Sequence, residues 1–329
     1  MDQVVKPWRR VALIFPGQGS QHPGMAEKLI QMSRAAADVF RRADEVLDMQ
    51  LARLCVEGTA EELEATVNQQ PASFVTSMAW LAALQERWDS LDRKIEPYMF
   101  AGHSMGEFTA AVAAGSLTFE EGALLVKERG VLMEAAGREN PGGMASIIGL
   151  PTEKVEEICK EAAVEGYVGL ATANCDGQNV ISGALGALRR AMELAEKARA
   201  RKVVKLPISI ASHSPLMAKA SESMNRLLQK FPIHDPRHPM VGNVNAALLE
   251  TRPEVYEELR DQLTMGVRWQ KSVETMRASD ADMFIEVGPG NVLTRLVRRI
   301  DYNVNSLSLS DPDEGLFSDN WRAVEAAAR

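Results

Sequence analysis

Short apolar runs of about one strand's length, each bounded by Gly or Pro, alternate along this chain with longer segments of helical period. Val11 to Phe15, Tyr98 to Ala101, Met240 to Gly242 and Met283 to Val287 are the clearest runs. Strands interleaved with helical segments are the pattern of an α/β fold with a mainly parallel sheet. At 329 residues the chain exceeds the usual domain length of roughly 100–200 residues. It can bury a large core without disulfides or structural metal, in one large domain or two unequal ones.

The stretch from Gly142 to Pro207 breaks the alternation. Its elements run strand (Met144 to Gly149), helix (Thr152 to Ala163), strand (Val168 to Ala173), strand (Asn179 to Ser182), helix (Leu185 to Arg199), strand (Lys202 to Leu206). The order βαββαβ is that of a ferredoxin-like unit. Asn140-Pro141-Gly142-Gly143 reads as its hinge. The expected organisation is a discontinuous large α/β domain, residues 1–140 and 208–329, carrying an inserted ferredoxin-like domain, residues 141–207. Past Ser310 an acidic stretch and a short Ala-rich helical end are expected to be peripheral.

Charge and cysteine usage narrow the functional classes. Lys and Arg total 37 against 45 Asp and Glu, a formal net charge of −8, which disfavours a general nucleic-acid or anionic-membrane binder. Cys55, Cys159 and Cys175 have neither CxxC nor Cys/His metal spacing, so free thiols and no metal site are expected. The polar N-terminus lacks the pattern of a signal peptide, and no apolar run reaches the ~20 residues needed to span a bilayer. Cytoplasmic residence is the expectation.

Gly102-His103-Ser104-Met105-Gly106 is a G-x-S-x-G sequence between a candidate strand and an Ala-rich helix, Phe108 to Ala114. That context is the nucleophile elbow, a sharp turn that exposes a serine Oγ, with the following helix N-terminus facing a developing oxyanion. Such a serine needs a base. Among His22, His103, His213, His234 and His238, His213 is favoured because it follows the small domain and can face the cleft between domains. His103 is expected to order the turn, and the other three to lie at the surface. No Asp or Glu between Ser104 and His213 stands out as a third triad member, and a backbone carbonyl can also fix an imidazole tautomer.

Three further segments carry weight. Phe15-Pro16-Gly17-Gln18-Gly19-Ser20-Gln21 leaves the first strand; His22 replaces the third glycine of a dinucleotide fingerprint and no Walker lysine follows, so neither nucleotide reading holds. The loop instead lies where α/β ligands bind, with amides available to an oxyanion. On the helix opened by Thr118-Phe119-Glu120-Glu121, a candidate capping box, Arg129 shares a stripe with Leu125 and Leu132. An inward guanidinium requires an anion, either an internal carboxylate or that of a substrate. Glu286-Val287-Gly288-Pro289-Gly290 reads as a structural strand-to-helix turn, and Arg295, Arg298 and Arg299 beyond it as solvated charge.

Taken together, Gly17-Gln18-Gly19-Ser20-Gln21, Gly102-His103-Ser104-Met105-Gly106-Glu107, Arg129-Gly130, Ser212-His213-Ser214-Pro215-Leu216-Met217 and Glu286-Val287-Gly288-Pro289-Gly290 resemble, in order and over residues 10–300, the malonyl-CoA:acyl carrier protein transacylase family. The resemblance implies a large hydrolase-like α/β domain with an inserted ferredoxin-like one, with Ser104 as the nucleophile and His213 as its base. The amides of Gln18 and Met105 would form the oxyanion hole, and Arg129 would bind the malonyl carboxylate. It further implies that the Gln262 carbonyl orients His213 and that Asn174 sits near the CoA cleft. Malonyl-CoA and acyl carrier protein are the implied partners, with ping-pong transfer and no metal or redox cofactor, in fatty-acid or polyketide synthesis; from the short stand-alone chain a discrete, trans-acting enzyme is expected, with monomer as the default.

Ala211-Ser212-His213 resembles methylmalonyl-using polyketide acyltransferases, which makes methylmalonyl the second reading. A serine thioesterase or esterase, and a catalytically silent module that binds carrier protein, are the other classes to separate.

Overall fold

The computed structural model describes residues 10–90 and 96–310; the acidic and Ala-rich stretch past Ser310 and nearly all of the polar N-terminus lie outside them. Among the described residues, ten strands form two sheets. The first contains β1 (Val11–Phe15) and β2 (Met99–Gly102), then β7 (Met240–Val241), β8 (Leu248–Leu249), β9 (Met283–Val287) and β10 (Asn305–Leu309), in the order β10-β9-β1-β2-β7-β8. All its pairings are parallel except β7 with β8. The four central strands are the apolar runs of the sequence. Their continuous hydrophobicity reflects burial on both faces. Leu13 and Phe15 pack into a core with the N-terminal helices, whereas Ala12 and Ile14 face Trp269, Val273 and Leu296 on the other side.

The second sheet holds β3 (Gly142–Ile148), β4 (Val168–Cys175), β5 (Gln178–Ala184) and β6 (Lys202–Lys205), all antiparallel, in the order β4-β5-β3-β6. Helices Thr152–Ala162 and Leu185–Lys197 bury Val155, Ile158, Leu188 and Ala191 against it in a core of their own. Connectivity and strand order are those of the split βαββαβ motif. We propose that this sheet and its helices form the inserted unit. Its expected hinge is different in the structure: Gly142 and Gly143 are the first residues of β3. A Cβ on Gly142 would lie 2.7 Å from that of Ala211 and 2.8 Å from Gly183 O, so the glycine serves close packing rather than flexibility. Strand and helix ends otherwise depart from the sequence expectation by one or two residues, β10 and β8 being additional.

The two sheets are joined near the site. Ala173 N–H donates to Val267 O at 2.9 Å and Val267 N–H to Ala171 O at 2.8 Å. Arg299 Nη1 donates to Gln178 Oε1 and its Nη2 to Asp176 O at 3.4 Å. Arg299 therefore touches the β4–β5 hairpin while staying exposed to solvent, and Arg298, also exposed, is bonded to Ser306. Among the described residues no helix is long and apolar enough to cross a membrane. No group of three His, Cys, Asp or Glu residues there could hold a metal ion.

Candidate active site

The loops that leave the C-terminal ends of β1, β2, β7 and β9 gather at one edge of the parallel sheet, where open α/β folds bind ligands. β2 ends at Gly102, and the helix Gly106–Ala113 begins four residues later. Ser104, between them, has φ +53°, left-handed backbone that a non-glycine residue adopts only when its surroundings enforce it. The enforcement is visible. A Cβ at Gly102 would lie 1.9 Å from Gly106 C and O, and one at Gly106 would lie 2.3 Å from Phe15 O. Only glycines let strand, turn and helix approach this closely.

Asn243, just past β7 and 1% exposed, closes the turn from the side. Its Oδ1 accepts from Ser104 N–H at 2.7 Å, and its Nδ2 donates to Gly102 O at 2.7 Å. Ser104 N–H is thereby committed and unavailable to a ligand. The N–H groups of Gln18 and Met105 donate to no acceptor among the described residues.

His213 also has left-handed backbone, φ +58°. Its Nε2 lies 2.8 Å from Ser104 Oγ, and its Nδ1 lies 2.8 Å from Gln262 O and 3.1 Å from Met265 O. Two carbonyls facing Nδ1 require a proton there, so Nε2 is the acceptor. Arg129 Nη2 donates to Ser104 Oγ at 3.2 Å, which leaves the serine's own proton to point at Nε2. Burial first, and then the Arg129 cation, push the His213 imidazole down to about 3. It is therefore neutral at physiological pH, with Nε2 able to accept a proton.

Arg129 is 1% exposed on the helix Phe119–Glu139. The expected capping box opens that helix: Thr118 Oγ1 accepts from Glu121 N–H at 3.3 Å and Glu121 Oε2 from Thr118 N–H at 2.8 Å. The guanidinium donates to Gln70 Oε1 and to Gln262 Oε1, each at 2.8 Å. Both partners are neutral amides, and Nε has none. Burial draws this guanidinium down to about 10, opposed only by Glu107. The sequence left open an internal or a substrate carboxylate; no internal carboxylate is hydrogen-bonded to Arg129 among the described residues, so a buried cation stands beside the serine.

Asn174, at the end of β4, accepts through Oδ1 from the His103 Nε2–H at 2.9 Å, linking the second sheet to the elbow. His103 thus orders the turn, as expected. His22 and His234 are exposed, and His238 is half-buried against Phe100. Glu286 accepts from Leu293 N–H and Thr294 N–H at 3.1 and 2.7 Å, which caps the helix Val292–Ile300 and confirms a structural turn.

Comparison with known proteins identifies the family. Residues 12–308 match the family model of the acyl transferase domain. The chain belongs to the acyl transferase family. It is 38% identical over 305 residues to the malonyl CoA-acyl carrier protein transacylase of Bacillus subtilis, covering 92% of this chain and 94% of that one. The solved structure of the corresponding transacylase from Coxiella burnetii superposes with a TM-score of 0.91 at 33% identity, covering 99% of this chain and 100% of the other. A malonyl-transacylase solved in complex with its type II PKS acyl-carrier protein gives 0.88 at 33% identity, covering 97% and 99%. Within this acyl transferase, sequence reasoning missed Gln70, Asn243 and the Gln262 side chain, each of which acts across the tertiary fold. The one local signal was Gln70, a polar residue fully buried beside Pro71 inside the helix Thr66–Ser90.

Proposed function

We propose that this acyl transferase moves a malonyl group from malonyl-CoA to the phosphopantetheine thiol of acyl carrier protein through an ester on Ser104. The observation that carries the reading is Arg129, a buried cation held by two amide oxygens and 3.2 Å from the Ser104 hydroxyl. A malonyl carboxylate is the counterion this site lacks, and bidentate pairing would fix the thioester carbonyl at Ser104.

Ser104 Oγ forms a bond to the thioester carbonyl carbon as its proton passes to His213 Nε2. The oxyanion is met by the amides of Gln18 and Met105. Collapse breaks the C–S bond, and His213 returns the proton to the CoA sulfur. In the second half the carrier thiol gives its proton to His213 and attacks the ester, and Ser104 leaves with that proton. The Gln262 and Met265 carbonyls hold the tautomer throughout, so no triad acid is needed, and the reaction balances without a metal or redox cofactor.

Substrate also tunes the base. The Arg129 cation is the second cause of the low His213 basicity, and a carboxylate bound to Arg129 cancels it. A neutral acyl group leaves both the cation unpaired and the imidazole weak, which discriminates against it twice. Asn174 belongs to the CoA side of the cleft in this account. The enzyme acts in the cytoplasm, where CoA thioesters and free thiols coexist. A panel of malonyl-, methylmalonyl- and acetyl-CoA, with product counted as carrier-bound acyl or free acid, tests the reading. Malonyl transfer should dominate; methylmalonyl dominance would reassign the substrate, and hydrolysis without transfer would make the protein a thioesterase.

A further inference from the structure

Behind the elbow lies a pair of acids that the reaction above does not use. Glu107, 1% exposed, sits in the first turn of the helix Gly106–Ala113, and Glu258, 6% exposed, projects from the helix Arg252–Asp261. The two carboxyl groups converge on one backbone amide, which brings an oxygen of each against the same N–H. Asn243 N–H donates to Glu107 Oε1 at 2.7 Å and to Glu258 Oε1 at 2.6 Å. Val244 N–H donates to the same Glu258 oxygen at 2.7 Å, and Gln262 Nε2 donates to Glu107 Oε2. Gly242 admits the carboxyl, since a Cβ there would lie 2.6 Å from Glu258 Oε2.

Two carboxyl groups in contact inside a protein do not both ionise. Burial, and then Glu258, hold the Glu107 carboxyl well above the ordinary carboxylate range, so the pair keeps one proton. The hydrogen bonds say where. Both Glu107 oxygens accept from N–H groups, and so does Glu258 Oε1; Glu258 Oε2 faces no N–H donor among the described residues and is the one oxygen of the four with room for the proton. The charged groups around the pair are Arg129, whose basicity Glu107 raises, and Glu254, Glu257 and Asp261, which line a cavity beside Glu258, Asp261 being paired with Arg260. The amide the pair anchors belongs to Asn243, whose side chain grips Ser104 N–H and Gly102 O.

We propose that Glu107 and Glu258 are positioning residues, a carboxylate and a carboxylic acid with the proton on Glu258 Oε2, which fix Asn243 and through it the backbone of Ser104. The kinetic consequence rests on Ser104 being the nucleophile; the protonation pattern does not.

The pattern makes the two glutamates unequal to the same substitution. In Glu258→Gln the amide N–H₂ donates where the acid proton did and the amide oxygen still accepts from Asn243 and Val244, so rapid-quench acyl-enzyme formation should stay close to wild type. In Glu107→Gln an N–H₂ must face the N–H of Asn243 or of Gln262. Its rate should fall about 100-fold, the loss expected when a reacting atom is displaced by about 1 Å, with KM for malonyl-CoA unchanged. Glu258→Leu, which fills space without hydrogen bonds, should fall with it. Equal losses in the two Gln variants, a larger loss in Glu258→Gln, or a change confined to KM would overturn the proposal. Infrared difference spectra of glutamate-labelled protein at neutral pH give a second readout that survives misfolding of Glu107→Gln and failure of the transferase reading. A protonated-carboxyl band should be present in wild type and lost in Glu258→Gln; its absence from wild type, or its persistence in Glu258→Gln, would overturn the proposal.

Discussion

Replacing Arg129 should invert acyl selectivity, and the structure sets the size of the effect. Removing the guanidinium leaves a malonyl carboxylate buried without a counterion, which costs about 3–5 kcal/mol, or roughly a factor of 10² to 10³ or more in kcat/KM. The unliganded enzyme moves the other way. Drawing an arginine from 12.5 to about 10 reflects about 3 kcal/mol of desolvation, a penalty the variant escapes, so folding should suffer little beyond the lost packing. Arg129→Met retains most of the side-chain volume, and Arg129→Ala opens the site further. Each variant would be offered malonyl-CoA and acetyl-CoA in competition, with the two Ser104 esters separated by intact mass. Malonyl transfer should collapse while acetyl transfer holds or rises. An unchanged malonyl preference in Arg129→Met would refute the role assigned to the cation.

Three further outcomes follow. Because the His213 imidazole is depressed from 6.5 to about 3 in the fold, the unfolded chain binds the extra proton between those values. Its contribution to stability is complete above pH 6.5 and is lost as pH falls toward 3, about 2 kcal/mol of it by pH 5; denaturant titrations of His213→Gln across that window should show a shallower slope than wild type, and identical slopes would contradict the assigned burial. Nuclear magnetic resonance of the ring should find His213 titrating higher in Arg129→Met than in wild type, since one cause of its depression is gone; a lower value would contradict the coupling. Gly106→Ala should destabilise the protein by about 1–3 kcal/mol and abolish transfer, because its Cβ would meet Phe15 O at 2.3 Å; an unshifted melting temperature would show that the turn is looser than described.

Local patterns in the chain carried the fold and half of the site. The buried strands are continuous apolar runs, the capping box at Thr118 is a four-residue signal, and the elbow needs its glycines at fixed spacing, so each was legible in sequence. Arg129 was marked by lying between leucines on a helix face. What the sequence could not display is what surrounds these groups. Gln70, Asn243 and Gln262 reach Arg129 and Ser104 from 59, 139 and 133 residues away, and nothing in their neighbours' periodicity records that. The Gly142-Gly143 pair was misread as a hinge because glycine's freedom and glycine's smallness leave the same letter; only the nearby Ala211 and Gly183 decide between them.

The central claim is that Ser104 carries malonyl between two thiols. Incubation of the protein with malonyl-CoA, quenching, and peptide mapping, followed by a chase of the unquenched adduct with acyl carrier protein, tests it most directly. The account predicts one malonyl ester on the Ser104 peptide, none in Ser104→Ala, and its quantitative appearance on the carrier thiol. An adduct on another residue, or one that decays to free malonate at the same rate with and without carrier protein, would contradict it.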